Sequence, residues 1–131
     1  EAALDMMQKD GLDAIFARHA RHRAAAQAGM KAMGLPLFAA EGCGSPAITA
    51  VAPEGIDAEQ LRKAVKEKFD ILLAGGQDHL KGQVFRIGHL GYVCDRDVMT
   101  AVAAIESTLQ SLGLHKGSMG AGVAAASAAL S

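Results

Sequence analysis

Apolar residues recur at three- and four-residue steps from Leu4 through Met7, Leu12, Ile15 and Phe16, and His19 continues the row. That spacing, followed by the alanine run at 24–26, predicts helix over about 2–33. Asp10-Gly11-Leu12-Asp13 interrupts it. Gly11 can end one helix and Asp10 or Asp13 can cap the next, so two helices with a bend are expected. Gly34 and Pro36 stop the second. Residues 35–39 read as a short strand, 41–46 as a loop by their Gly and Pro content, and 47–51 as a strand closed by Pro53 and Gly55.

Asp57 is a good N-cap for the next helix, with Gln60 at the capping-box position and Leu61, Val65 and Phe69 as its buried face. Residues 71–73 read as an apolar strand running into Gly75-Gly76. After a polar loop, residues 83–88 read as another strand, in which Val84, Arg86 and Gly88 share one face and Phe85 and Ile87 the other. Asp95 is expected to cap a helix whose stripe is Val98, Val102, Ile105, Leu109 and Leu112, ended by Gly113. The Gly/Ala/Ser-rich tail, 117–131, fits either a flexible end or a docked alanine helix.

Strand pairs separated by helices predict an α+β sandwich: a small, mostly antiparallel sheet with helices packed on one face. At 131 residues the chain makes one domain, 1–116, followed by the 117–131 tail. Half of the residues are hydrophobic, 4% are aromatic and there is no Trp, which argues against an aromatic-rich β-sandwich. A net charge of −1 leaves no basic excess to attract nucleic acid or an anionic membrane. The longest uncharged apolar stretch, 121–130, is about half the ~20 residues of a spanning helix. No secretory leader is visible, and the initial Glu1 suggests a cut end. Cys43 and Cys94 lie in no CxxC pair and read as free thiols of a reduced, cytoplasmic protein. Two thiols cannot supply the four that sulfur-ligated clusters usually need.

Arg86 is the candidate with chemistry in it. It is the one ionisable residue of 83–88, and a guanidinium on a rigid strand suits two-pronged capture of a carboxylate. The plain alternative is an edge-strand arginine facing water. Gly88, His89 and Gly91 behind it could shape such a site. His19 and His22 have helical spacing for a metal, yet Arg18, Arg21 and Arg23 surround them and no third ligand is near, so a solvated basic face is expected and no metal. His79 and His89 read as loop histidines. Gly75-Gly76 and Gly88-His89-Leu90-Gly91 match neither a phosphate loop nor a dinucleotide fingerprint.

The run Lys81-Gly82-Gln83-Val84-Phe85-Arg86-Ile87-Gly88-His89-Leu90-Gly91, with Gly75-Gly76 before it, resembles the signature of class V aminotransferases. These are pyridoxal-phosphate enzymes of fold type I, and the similar branch is the alanine–glyoxylate and serine–glyoxylate group. Gly11-Leu12, Phe16, Arg18-His19 and Gly34-Leu35 resemble the entry to that family's small C-terminal domain, so the likeness spans about 4–113. The tail is similar to that of cyanobacterial members, some labelled soluble hydrogenase small subunits. The resemblance implies that Arg86 holds the substrate α-carboxylate. It also implies that a preceding large domain carries the Schiff-base lysine and the pyridoxal phosphate, and that the parent is a homodimer. Lys9, Lys31, Lys63, Lys66, Lys68, Lys81 and Lys116 stand in no such lysine motif, so this chain alone is expected to hold no cofactor and to be inactive. The alternative functions are a non-catalytic carboxylate-binding module and a protein-interaction module.

Overall fold

A computed structural model describes residues 1–131. Gly11, at φ +82, breaks the first helical stretch into α1 (Ala2–Asp10) and α2 (Leu12–Ala32), as its lack of a side chain allows. Neither aspartate caps α2, because Gly11 itself occupies the N-cap; Asp10 instead pairs with Arg18 at 3.3 Å. After α2 come β1 (Ile48–Val51), α3 (Ala58–Phe69), β2 (Ala74–Gly75), a 3₁₀ turn at Asp78–Leu80, β3 (Phe85–Gly88), α4 (Asp95–Ser111) and α5 (Ala121–Leu130).

The three strands form an antiparallel sheet in the order β1-β3-β2, which puts Arg86's strand in the centre rather than at an edge. Thr49 lies opposite Ile87 and Val51 opposite Phe85, and all four are buried. Ala50 and Ala74 lie on either side of Arg86, and the row they make with Ile48 and Gly88 is exposed or half-buried. Helices therefore cover one face of the sheet and leave the other bare. The expected α+β class, with a small antiparallel sheet and helices on one side, is what the chain adopts.

Several local expectations shift. Residues 35–39 are not a strand: Leu37 bridges Val51 alone, and Pro36, lacking an N–H, cannot extend the ladder. Residues 71–73 are unpaired, since Arg62 Nε donates to the Leu73 carbonyl at 2.7 Å, and pairing begins at Ala74. Val84 is buried beneath the 3₁₀ turn, whose Leu80 carbonyl accepts its amide. Asp57 caps α3 through the Glu59 and Gln60 amides, but Gln60 returns no bond to close the box. Phe69 is not core, because α3 ends there with Asp70 in the left-handed region, and its ring lies under the Lys68 ammonium. The cap of α4 is Cys94, whose amide donates to Asp97 Oδ2; Asp95 is the first helical residue and faces α2.

The core runs from Met30 and Met33 on α2 through Leu61 and Val65 on α3 to Val98, Val102, Ile105 and Leu109 on α4, over Val51, Phe85 and Ile87 of the sheet. The tail is a docked helix: α5 packs on α2 and α4, with Ala126 fully buried. Small residues make this possible. A Cβ on Gly29 would lie 2.9 Å from Val102 Cγ1 and 3.2 Å from the Gly122 carbonyl, so the α2 and α5 backbones nearly touch.

Candidate functional site

Four of the six arginines are tied down within the chain. Arg18 meets Asp10, Arg21 meets Asp95, Arg62 meets Glu59, and Arg23 donates to the Gly44 carbonyl, while Arg96 extends into solvent with its Nε 3.9 Å from Asp97. Arg86 differs. Its Nε donates to the Gly75 carbonyl at 2.9 Å, while its two outer nitrogens carry no bond and no acid faces them. The Nε bond crosses to β2 and orients the guanidinium, and the small side chains of Ala50 and Ala74 on both sides leave room over the bare sheet face. A planar fork, fixed at its base and open at its tip, is the arrangement that receives a carboxylate with two parallel bonds.

Gly88 is the last residue of β3, and Gly91 lies in the turn leaving it, with φ +84. His89 lies elsewhere than its loop position suggests. It extends the inward row after Phe85 and Ile87, is fully buried, and shares a 3.0 Å hydrogen bond between Nε2 and Thr49 Oγ1. Burial lowers its pKa below the usual imidazole value, with His22, His19 and Arg23 adding to the effect and the Pro46 carbonyl opposing it. His89 thus faces away from the Arg86 surface.

The expected solvated face of His19 and His22 is a correction. Both are buried, because they continue the apolar stripe Ile15, Ala26, Met30 and Met33 while the arginines sit to either side. His22 Nε2 donates to Asp95 Oδ1 at 2.8 Å, and that bond, with Arg21 beside it, holds the Asp95 carboxyl below its usual value. His19 Nε2 accepts the Gly91 amide at 3.0 Å. Their burial was legible in the 15-19-22-26 step, which places both on the apolar face of α2.

Two larger concavities are present. One, of about 830 Å³, is lined by Arg23, Gln27 and Lys31 of α2, by the 36–45 segment and by Ile48 and Ala50 of β1, so it reaches the strand next to Arg86. The other is an apolar groove of about 710 Å³ bordered by Met6, Met7, Phe16, Leu90 and Tyr92. All seven lysines are exposed, and none belongs to the bare sheet face. An imine-forming lysine needs a desolvated or charge-perturbed amine, so this chain's residues do not fit the covalent cofactor of a transaminase. No three His, Cys, Asp or Glu side chains are grouped as metal ligands, Cys43 and Cys94 are free and exposed, and no helix is long and apolar enough to cross a membrane.

The chain is a three-stranded sheet with helices on one face and Arg86 on the other, and comparison with known proteins gives its class. No family model matches the chain. It is 61% identical, over its whole length and 34% of the relative's, to a protein named "Soluble hydrogenase, small subunit" from a Synechococcus strain. It is 40% identical over 106 residues, 79% of the chain and 26% of the relative, to (S)-ureidoglycine–glyoxylate transaminase of Bacillus subtilis. The crystal structure of pyridoxamine–pyruvate aminotransferase from Mesorhizobium loti superposes with a TM-score of 0.91 at 33% identity, covering 98% of this chain and 33% of that one. The chain belongs to this aminotransferase family as a small domain of it, spanning about a third of the length of the curated relatives it matches.

Proposed function

We propose that this chain is the C-terminal domain, with a Gly/Ala-rich tail after residue 116, of a pyridoxal-phosphate-dependent transaminase that moves an amino group from alanine or serine to glyoxylate. Arg86 holds the substrate α-carboxylate. The supporting observation is the guanidinium on the bare sheet face, half-buried and oriented by its Nε bond to the Gly75 carbonyl, with its outer nitrogens open. The parent, a cytoplasmic homodimer, carries the lysine and the cofactor in a separate large domain, and the chain alone does not transaminate.

Holding the carboxylate in a rigid fork removes rotational freedom from the substrate and sets the direction of its Cα–H bond, a positioning contribution. The Gly75 carbonyl keeps the fork from swinging away when the site is empty. The cofactor, held by residues outside this chain, would supply an electron sink for the substrate. Arg86 itself moves no proton, since a guanidinium stays charged throughout. The hydrogenase name of the Synechococcus relative finds no support in this chain's residues, which offer two separate cysteines.

The test is a titration of the ¹⁵N-labelled chain with glyoxylate. The Arg86 Nε–H and the Ala50 and Ala74 amides are expected to shift, and Arg86→Leu to abolish the response. Absence of any shift, or shifts that survive the substitution, would overturn the assignment.

A further inference from the structure

His19 stands between two backbone groups that leave it a single form. Its Nδ1 is 2.7 Å from the Ile15 carbonyl, which can only accept, and its Nε2 is 3.0 Å from the Gly91 amide, which can only donate. The ring is therefore neutral, with its hydrogen on Nδ1 and a lone pair on Nε2. Gly91 belongs to the turn that ends Arg86's strand. The same turn is held at its far end by His22 and Arg21, both on Asp95, and at its near end by His89 on Thr49 and by the His89 amide on the Ala47 carbonyl.

We propose that His19 is a positioning residue for Arg86: its neutral ring accepts the Gly91 amide and, with His22 and His89, locks the turn at the end of the Arg86 strand. The inference deepens the carboxylate-binding reading and takes its functional meaning from it. Protonation would set an N–H against the Gly91 N–H, and the bond would be lost. The groups facing the cluster are Arg18, Arg21 and Arg23 of α2, Asp10 at the end of α1, Asp95 at the start of α4, and the three imidazoles themselves. Without the Gly91 bond the turn loosens, and the Arg86 Nε–H···O=C bond to Gly75 loses its fixed frame.

Two-bond ¹H–¹⁵N spectra and hydrogen exchange of the labelled chain test this. His19 is expected as the Nδ1–H form with the Gly91 amide protected. His19→Gln places an acceptor oxygen near the Nε2 position, so it should keep Gly91 protected. His19→Phe, a ring without an acceptor, should lower that protection roughly tenfold or more, and exchange of the Arg86 Nε–H should rise with it. An Nε2–H form in the wild-type chain, Gly91 protection unchanged in His19→Phe, or an Arg86 Nε–H indifferent to release of Gly91 would each overturn the proposal. The wild-type tautomer needs no variant to fold. Failure of glyoxylate to bind, with these signatures intact, would strike the carboxylate reading and leave the His19 lock standing.

Discussion

The Gly122 amide, in the first turn of α5, donates at 3.0 Å to Oε1 of Glu106, a carboxylate buried to 2% exposure on α4. The Val123 amide reaches Oε2 at 3.3 Å and His115 Nε2 reaches Oε1 at 3.3 Å. A negative charge from one helix thus fills the orphan donors at the start of another, where the helix dipole also favours it. This contact explains why the alanine-rich tail docks instead of fraying.

Removing that charge should undock α5. Burial pushes the Glu106 carboxyl up, but the bonds from Gly122, His115, Val123 and Gly120 together outweigh it and hold the group below its usual value. A carboxyl lowered in the folded state stabilises fully above the unfolded value of about 4.3, and the contribution is lost as pH falls through the folded value. Glu106→Gln should cost about 1–3 kcal/mol in urea unfolding at neutral pH. The gap between wild type and variant should narrow on acidification below about pH 4.

The α2–α5 crossing makes an unequal pair of glycine substitutions. At Gly29 a new Cβ meets Val102, a stiff branched side chain, at 2.9 Å, and the Gly122 carbonyl at 3.2 Å. At Gly122 it meets Met33 Cγ at 2.8 Å and Sδ at 2.9 Å, a buried but unbranched side chain with more rotamers than Val102. Overpacking at Gly29→Ala should outweigh the helix-propensity gain of about 1 kcal/mol and leave a net loss of about 1–2 kcal/mol. Gly122→Ala should lose less. Thermal melts of the two variants side by side check the order.

His89 gives the opposite end of the pH scale. Its folded pKa is lowered, first by burial and then by His22, so the unfolded chain takes up the proton first as pH drops. Stability should therefore fall as pH drops below about 6.5, by up to about 1.4 kcal/mol per pH unit from this group. His89→Gln should flatten that slope while keeping a hydrogen-bonding partner for Thr49. Denaturant unfolding between pH 7 and 5, compared across the two chains, measures the difference.

Periodicity was enough for the long elements and failed where side chains redirect backbone bonds. The α4 stripe of Val98, Val102, Ile105 and Leu109 could be read directly, because each step of four stays on one helical face. Residues 71–73 looked like a strand by apolarity, yet Arg62 claims the Leu73 carbonyl, a contact between positions eleven apart that no local pattern encodes. The same holds for Asp95, whose carboxylate is taken by α2 residues more than seventy positions away. Arg86 stood out on its strand, but its central place in the sheet and its tie to Gly75 belong to the fold. His19 and His22 were misjudged from their charged neighbours, although the step from Ile15 to Ala26 already put them on the buried stripe.

Arg86 lets function be separated from stability. It faces the bare side of the sheet, is paired with no acid, and gives the fold one hydrogen bond, from Nε to the Gly75 carbonyl. Losing that bond should cost about 0.5–1.5 kcal/mol, partly offset by the strand preference of a replacement such as Val. Arg86→Val should therefore unfold close to the wild-type midpoint while losing the response to glyoxylate. Arg86→Lys keeps the charge but replaces a planar fork with a point donor, and should weaken the response without restoring its orientation. Arg23→Lys, on the opposite edge of α2 with its outer nitrogen already on Gly44, should leave carboxylate binding intact. Were Arg23→Lys to abolish the response and Arg86→Val to spare it, the carboxylate would bind at the α2 end of the neighbouring concavity and not at the Arg86 fork.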